Sequence, residues 1–186
     1  MSEPDIWVAR VFAALLAGEL AHEDLSVRKL SAWLGQSTIG LYHYFGSLDG
    51  FLIRVDGAGW RHLLGELEGR AAEGGTLEDI AMAYVTFATR HPALYRVMAE
   101  RPFARAKLRA EGRLRAEANL LDAFGALLAR LGVEGGETST VLVLASVHGL
   151  ASLLLGGRLD LRESRSEGER LREAVAGLAS RFTGPS

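Results

Sequence analysis

The chemistry open to this chain is narrowed first by what its side chains lack. Its 186 residues include no cysteine, which excludes a disulfide scaffold, a thiolate zinc site and a cysteine nucleophile together. His91 and His148 are imidazoles able to ligate a metal, but they stand far apart in sequence and lack the His, Cys or carboxylate spacing of a metal site. A buried hydrogen bond or a helix-capping role suits them better. Serine, histidine and aspartate are present, yet no nucleophile elbow, phosphate loop or paired catalytic motif arranges them. The expectation is a protein that is not an enzyme and uses no metal and no cofactor. The side chains with a clear use lie between Ser37 and Tyr44, where hydroxyls and rings crowd into one short stretch: Thr38, Tyr42, His43 and Tyr44. A tyrosine hydroxyl can reach a phosphate oxygen while its ring packs on a helical bundle, and Gly40 lets a backbone come close to a partner. The plainer use of that stretch is a solvated helix face.

Those residues need elements to hold them, and the sequence reads as helix after helix. Apolar residues recur three and four apart, with no alternating run that would make a sheet. A first helix is expected from Pro4 to about Leu20, with Ile6, Val8, Val11, Phe12, Leu15 and Leu16 on its apolar face. Ser26 is placed to cap a short second helix that carries Val27, Leu30 and Leu34 inward and stops at Gly35. Ser37 caps a third with Leu41 and Phe45 in the core, and Ser47 starts a fourth that runs to about Arg70. This is a helix-turn-helix pattern. The fourth helix holds Gly50, Gly57, Gly59, Gly65 and Gly69, each costing about 1 kcal/mol against alanine, which suggests a soft connector. Helices are then expected from Leu77 to Arg90, from Pro92 to Met98, from about Ala104 to Leu131, from Thr138 to Leu155, and from about Glu167 to Phe182.

The fold class that follows is all-α, with an N-terminal three-helix helix-turn-helix domain over 1–50 and a C-terminal helical bundle over 51–186. The net charge is −2. Through Val55, Arg10, Arg28, Lys29 and Arg54 face Glu3, Asp5, Glu19, Glu23, Asp24 and Asp49, so the N-terminal region is slightly acidic. If it meets a polyanion, non-specific attraction is weak and contacts depend on a few placed cations and on backbone amides at helix starts. Met1 to Asp5 are acidic where a secretory signal would be basic, and the apolar stretch Val141 to Leu155 is shorter than a membrane span and carries Ser146 and His148. A cytoplasmic location without membrane contact is expected.

The stretch from Val27 to Leu52, VRKLSAWLGQSTIGLYHYFGSLDGFL, resembles the TetR family of transcription regulators. In that pattern a second helix ends at Leu-Gly, a serine opens the recognition helix, and Leu-Tyr-x-His-Phe precedes Ser-Lys-x-x-Leu. The resemblance implies double-stranded DNA as partner, with Arg28 touching it from the second helix. It implies Thr38, Ile39 and Gly40 at the base-facing start of the recognition helix that Ser37 opens, with Tyr42 and Tyr44 on phosphates, and it counts Ser37 and His43 among the DNA-binding residues. Two positions depart from the pattern: Tyr44 stands for the usual histidine, and Leu48 for the usual lysine after Ser47. In the second half, Arg90 to Met98 and Val147-His148-Gly149-Leu150-Ala151 resemble the ligand domain named for a Trp-His-Gly motif, with Leu144 near the place of the tryptophan.

Apolar side chains with a few polar groups between helices are the usual material of a small-molecule pocket. Tyr84, Phe87, His91, Tyr95, Met98, Phe103, Leu121, Phe124 and His148 are the expected effector pocket, the plainer reading of each being core. Val141, Leu142, Ala145, Gly149, Leu153, Leu171, Val175, Leu178 and Phe182 offer more apolar surface than one bundle needs, and are expected to form a homodimer interface. A two-fold dimer presents two recognition helices to a palindromic operator. The function so implied is a sequence-specific repressor released by a small-molecule effector. The alternative is a degenerate helix-turn-helix protein that binds ligands or proteins without DNA, motivated by Leu48 and the acidic head.

Overall fold

A computed structural model describes residues 2–100, 120–158 and 167–182, and all secondary structure among them is helical. Helix α1, Glu3–Ala17, opens at Ser2, whose hydroxyl donates to the Asp5 carboxylate at 2.6 Å. It ends at Ala17 and does not reach Leu20. Gly18 adopts a left-handed φ of 75°, and Glu19 N–H turns back to Ala14 O at 2.8 Å, closing the last turn. After a 3-10 turn over His22–Asp24 come α2, Val27–Leu34, and α3, Thr38–Phe45. Both start as the serine positions predict: Ser26 Oγ accepts from Lys29 N–H at 3.3 Å, and Ser37 Oγ from Gly40 N–H at 3.0 Å.

Helix α4, Leu48–Ala72, is one unbroken helix despite its glycines. At two of them a side chain has no room. A Cβ on Gly50 would run into the Phe45 carbonyl oxygen, and one on Gly59 would lie 2.5 Å from Met98 Sδ. These glycines give close approach, not softness. Helix α5, Leu77–Arg90, begins with a reciprocal box: Thr76 N–H donates to Asp79 at 2.8 Å, and Asp79 N–H to Thr76 Oγ1 at 3.3 Å. Helix α6, Pro92–Tyr95, continues as a π-helical turn over Arg96–Glu100 instead of stopping at Met98. Helix α7 is described over Leu120–Arg130, and the rest of the helix expected from Ala104 lies outside the described residues. Helices α8, Gly136–Leu155, and α9, Glu167–Ala179, are the last among the described residues.

The described residues pack into two units. The first comprises residues up to Arg61 and the stretch from His91, so the chain leaves it inside α4 and re-enters at α6. Its core is Trp7, Val11, Leu15, Leu30, Leu41, Phe45, Phe51 and Leu52, joined by Leu94, Tyr95 and Val97. Each such side chain contributes about 1.5–3 kcal/mol by leaving water. Phe45 is the hub, with Phe51 edge-on at 4.8 Å and Trp7 at 6.2 Å. The second unit runs from His62 to Arg90 and from Leu120 onward. There α5 packs against α8 and α9, and α7 packs against α8. Gly125 allows that last approach, because a Cβ there would lie 3.2 Å from Thr140 Oγ1.

Candidate functional site

Helix α3 follows α2 after a glycine turn in which Gly35 takes a φ of 71° and Gln36 N–H bonds Ser31 O at 2.8 Å. The turn sets which face of α3 is free. Leu41 and Phe45 are buried, while Thr38, Ile39, Tyr42, His43 and Tyr44 are exposed. Ile39 is 79% exposed and Tyr42 51%. A helix of eight residues that leaves an isoleucine and a tyrosine this open has a surface beyond what packing requires. Gly40 is half-buried, and a Cβ there would meet Trp7 Cη2 at 3.4 Å, so its small size also serves packing within the unit.

Trp7, which the sequence reading left in the background, positions this face. Its indole is buried and receives the Tyr44 ring edge-on at 5.3 Å. The Tyr44 ring is thereby fixed, and its hydroxyl lies 3.4 Å from Glu3 Oε2. The cations of the head are unequally available. Arg10 donates to Leu34 O at 3.3 Å and stacks on Trp33, closing the end of α2. Lys29 is held by Asp24 Oδ1 and Glu23 O, both at 3.0 Å. The Asp24 carboxyl lies below its ordinary pKa because the Ala21 N–H and then Lys29 bind its charged form. Arg54 lies over the Phe45 ring at 5.2 Å and 4.0 Å from Asp5. Arg28 projects from α2 into solvent.

The residues expected as one effector pocket are distributed over both units. His91, Tyr95 and Met98 belong to the first, where His91 Nδ1 lies 2.7 Å from Leu16 O and Met98 presses on Gly59. Tyr84, Phe87, Leu121, Phe124 and His148 belong to the second. Phe103 lies outside the described residues. Within the second unit Tyr84 and Phe124 of this set line a common cavity. Leu67 of α4, Leu77, Ile80 and Ala81 of α5, Leu128 of α7, and Val143, Leu144 and Val147 of α8 complete it. The cavity offers about 20 Å³ for the centre of a water molecule, so it is a seed of a site rather than a pocket of ligand size. Phe87 is buried beside the His62 ring, and Leu121 lines a separate, wider groove of about 510 Å³ with Gly125 and Thr140. His148 is half-buried on α8. Among the described residues no cluster of three or more His, Asp or Glu is arranged to hold a metal ion.

The profile of the family described as "Tetracyclin repressor-like, C-terminal domain" matches residues 77–178, more than half of the chain. The chain belongs to the tetracyclin repressor-like family. Membership places it among transcription regulators. No curated protein matches the sequence. Among solved structures, a candidate regulatory protein, SCO4313, aligns over 94% of this chain and 97% of its own, with a TM-score of 0.61 and 16% identity. A protein of unknown function from Rhodococcus sp. RHA1 aligns over 98% and 93%, with a TM-score of 0.57 and 22% identity. Both likenesses establish the fold.

In this tetracyclin repressor-like chain, α8 presents two opposed faces. Thr140, Val143, Val147 and Ala151 are buried, while Val141, Leu142, Ala145 and Leu153 are exposed and Gly149 is half-buried beside them. The helix is long and apolar enough to cross a membrane by length and composition, longer than the stretch from Val141 suggested, because it begins at Gly136. Two residues expected at a dimer interface also pack within the protomer. Val175 is 0% exposed, and Phe182 packs on the core cluster of Leu77, Leu128, Val133, Val143 and Ala179. A side chain with no surface left cannot meet a partner. Leu171 and Leu178 remain half-buried.

Proposed function

We propose that this protein is a homodimeric repressor that reads a palindromic operator in double-stranded DNA through α3 and is released from it by a small-molecule effector. It acts in the cytoplasm and not as an enzyme. The observation that carries the reading is the open face of α3, where Ile39 and Tyr42 are exposed at the start of a helix capped by Ser37 and braced from behind by Trp7. Ser37, Thr38, Ile39 and Gly40 face the bases, and Tyr42, His43, Tyr44 and the solvent-facing Arg28 face phosphates.

The exposed stripe Val141, Leu142, Ala145, Gly149 and Leu153 supports a two-fold interface, with Leu171 and Leu178 at its edge. The division of labour is DNA reading over 1–50 and effector binding with dimerisation over 51–186. It is a functional division, since the first packed unit also takes in 51–61 and the stretch from His91. Helix α4 belongs to both units without a break, and an effector that binds the two states unequally acts through it. The second half is of the Trp-His-Gly kind, with His148 and Gly149 on α8.

Selection of genomic DNA fragments by the purified protein tests the reading, repeated with Tyr42→Phe and Thr38→Ala and at two salt concentrations. A palindrome that both substitutions weaken is the expected result. Absence of any salt-sensitive DNA binding favours the second reading, a head that no longer reads DNA. Glu3 beside Tyr44 and the pairing of Lys29 with Asp24 motivate that alternative.

A further inference from the structure

We infer that α3 reads its operator mainly through the 5-methyl groups of thymine, and that Ile39 is the residue that selects them. This rests on the proposed reading of DNA by α3, and names the base chemistry that the helix selects. Its eight residues, Thr38–Phe45, include no arginine, lysine, asparagine, glutamine or carboxylate, the side chains that pair with guanine, adenine and cytosine edges by hydrogen bonds. The nearest amide side chain, Gln36, is half-buried in the turn before the helix. What α3 shows at its open start is largely apolar. Ile39 is 79% exposed, and Thr38 beside it is exposed and carries a methyl group. Tyr42 stands three residues from Ile39 and four from Thr38, so the three are neighbours on the helix surface. The apolar group that a base pair offers in the major groove is the thymine methyl.

Ile39 is prepared for that contact. Isoleucine branches at Cβ, so within a helix its χ1 is largely held in one rotamer and little rotamer freedom is left to lose on binding. Its exposed surface gains nothing from the fold, and leaves water when it meets a methyl group. The backbone beneath it is fixed, by Ser37 Oγ accepting from Gly40 N–H at 3.0 Å and by Trp7 behind Gly40. Phosphate attraction competes weakly in this head, because Lys29 is paired with Asp24 and Arg10 is turned onto Leu34 O and Trp33. Base contacts therefore carry more of the affinity.

The probe is the palindrome that genomic selection enriches, made as two duplexes, one with thymine and one with deoxyuridine throughout. Uracil keeps the O4 acceptor of thymine and lacks only the methyl. Fluorescence anisotropy with the full-length protein is expected to show the uracil duplex bound about fourfold more weakly for each methyl contacted, the worth of one buried methyl. Replacing thymines one at a time should confine the loss to the same few positions in each half-site. Ile39→Ala should bind the two duplexes alike with Tm little changed, since position 39 lies in solvent, and Ile39→Val, which keeps the branch, should retain part of the preference. Equal wild-type affinity for the two duplexes, a loss spread evenly over all thymines, or an Ile39→Ala protein that still prefers thymine overturns the inference and leaves the repressor standing. Enrichment of no palindrome at either salt concentration defeats both.

Discussion

The Tyr44 hydroxyl donates to Glu3 Oε2 across 3.4 Å, linking the last turn of α3 to the first turn of α1. A phenol has one proton to give, and here an exposed carboxylate takes it where DNA phosphate is proposed to lie. The carboxylate competes for the donor and repels the phosphate. Glu3→Gln should therefore tighten operator binding about twofold at low salt, the size of an exposed charge effect of about 0.5 kcal/mol. The gain should shrink as salt rises. Fluorescence anisotropy at two ionic strengths measures it, and an affinity indifferent to position 3 would remove Tyr44 from phosphate recognition.

Gly50 meets the carbonyl oxygen of Phe45, the residue that closes α3. Gly50→Ala must push α3 away from α4, at a cost of about 1–3 kcal/mol as for other overpacked sites. Gly65 and Gly69, on the same helix, have nothing within 4 Å of an added Cβ. Alanine there should stabilise by up to about 1 kcal/mol. Thermal melts of the three variants should show opposite signs within one helix.

Asp79 lies below the ordinary carboxylate pKa, first because the Thr76 N–H and then the Thr76 hydroxyl bind its charged form. A depressed folded-state pKa adds stability that is fully present above the unfolded value of about 3.8 and is lost as pH falls through that value toward the folded one. Thr76→Ala removes both the cap and much of this dependence. It should cost about 1 kcal/mol at neutral pH, and the loss should narrow below pH ~4, as read by denaturant unfolding at several pH values.

Leu142 and Val175 should separate assembly from folding. Leu142 is 51% exposed on α8, so Leu142→Asp should leave a folded protomer that sediments at half the wild-type mass. Val175 is fully buried, so Val175→Ala should cost about 2 kcal/mol of stability through lost burial and a residual cavity. A dimeric Leu142→Asp protein in analytical ultracentrifugation would take this stripe out of the proposed interface.

Much of the first unit was legible because its signals are local. Ser26, Ser37 and Ser47 each cap from one position to the third residue on, and Gly35 ends α2 with a left-handed turn, so chain order alone carries them. The end of α1 was placed too late although its signal is also local, a left-handed cap at Gly18 of the same kind as at Gly35. The glycines of α4 looked like softness since propensity is a one-residue quantity, while Phe45 and Met98, which forbid a Cβ at Gly50 and Gly59, are neighbours that only the fold supplies. The expected pocket spread over two units for a related reason. Tyr95 and Met98 share the apolar character of Tyr84 and Phe124, and character does not say which core a side chain joins. Glu3 near Tyr44 pairs residues that nothing in the sequence pattern connects.

The re-entry of the chain into the first unit at His91 bears on how this regulator could be taken apart. Leu94, Tyr95 and Val97 are sealed into the core that holds α1 and α4, and His91 Nδ1 meets the end of α1 at Leu16 O. A gene fragment that stops at Arg61 encodes every helix of the reading head and omits part of its filling. A head grafted onto another sensor would need α6 supplied with it, and a head emerging from the ribosome must wait for the twenty-nine residues of its neighbour, 62–90, before its own core can close.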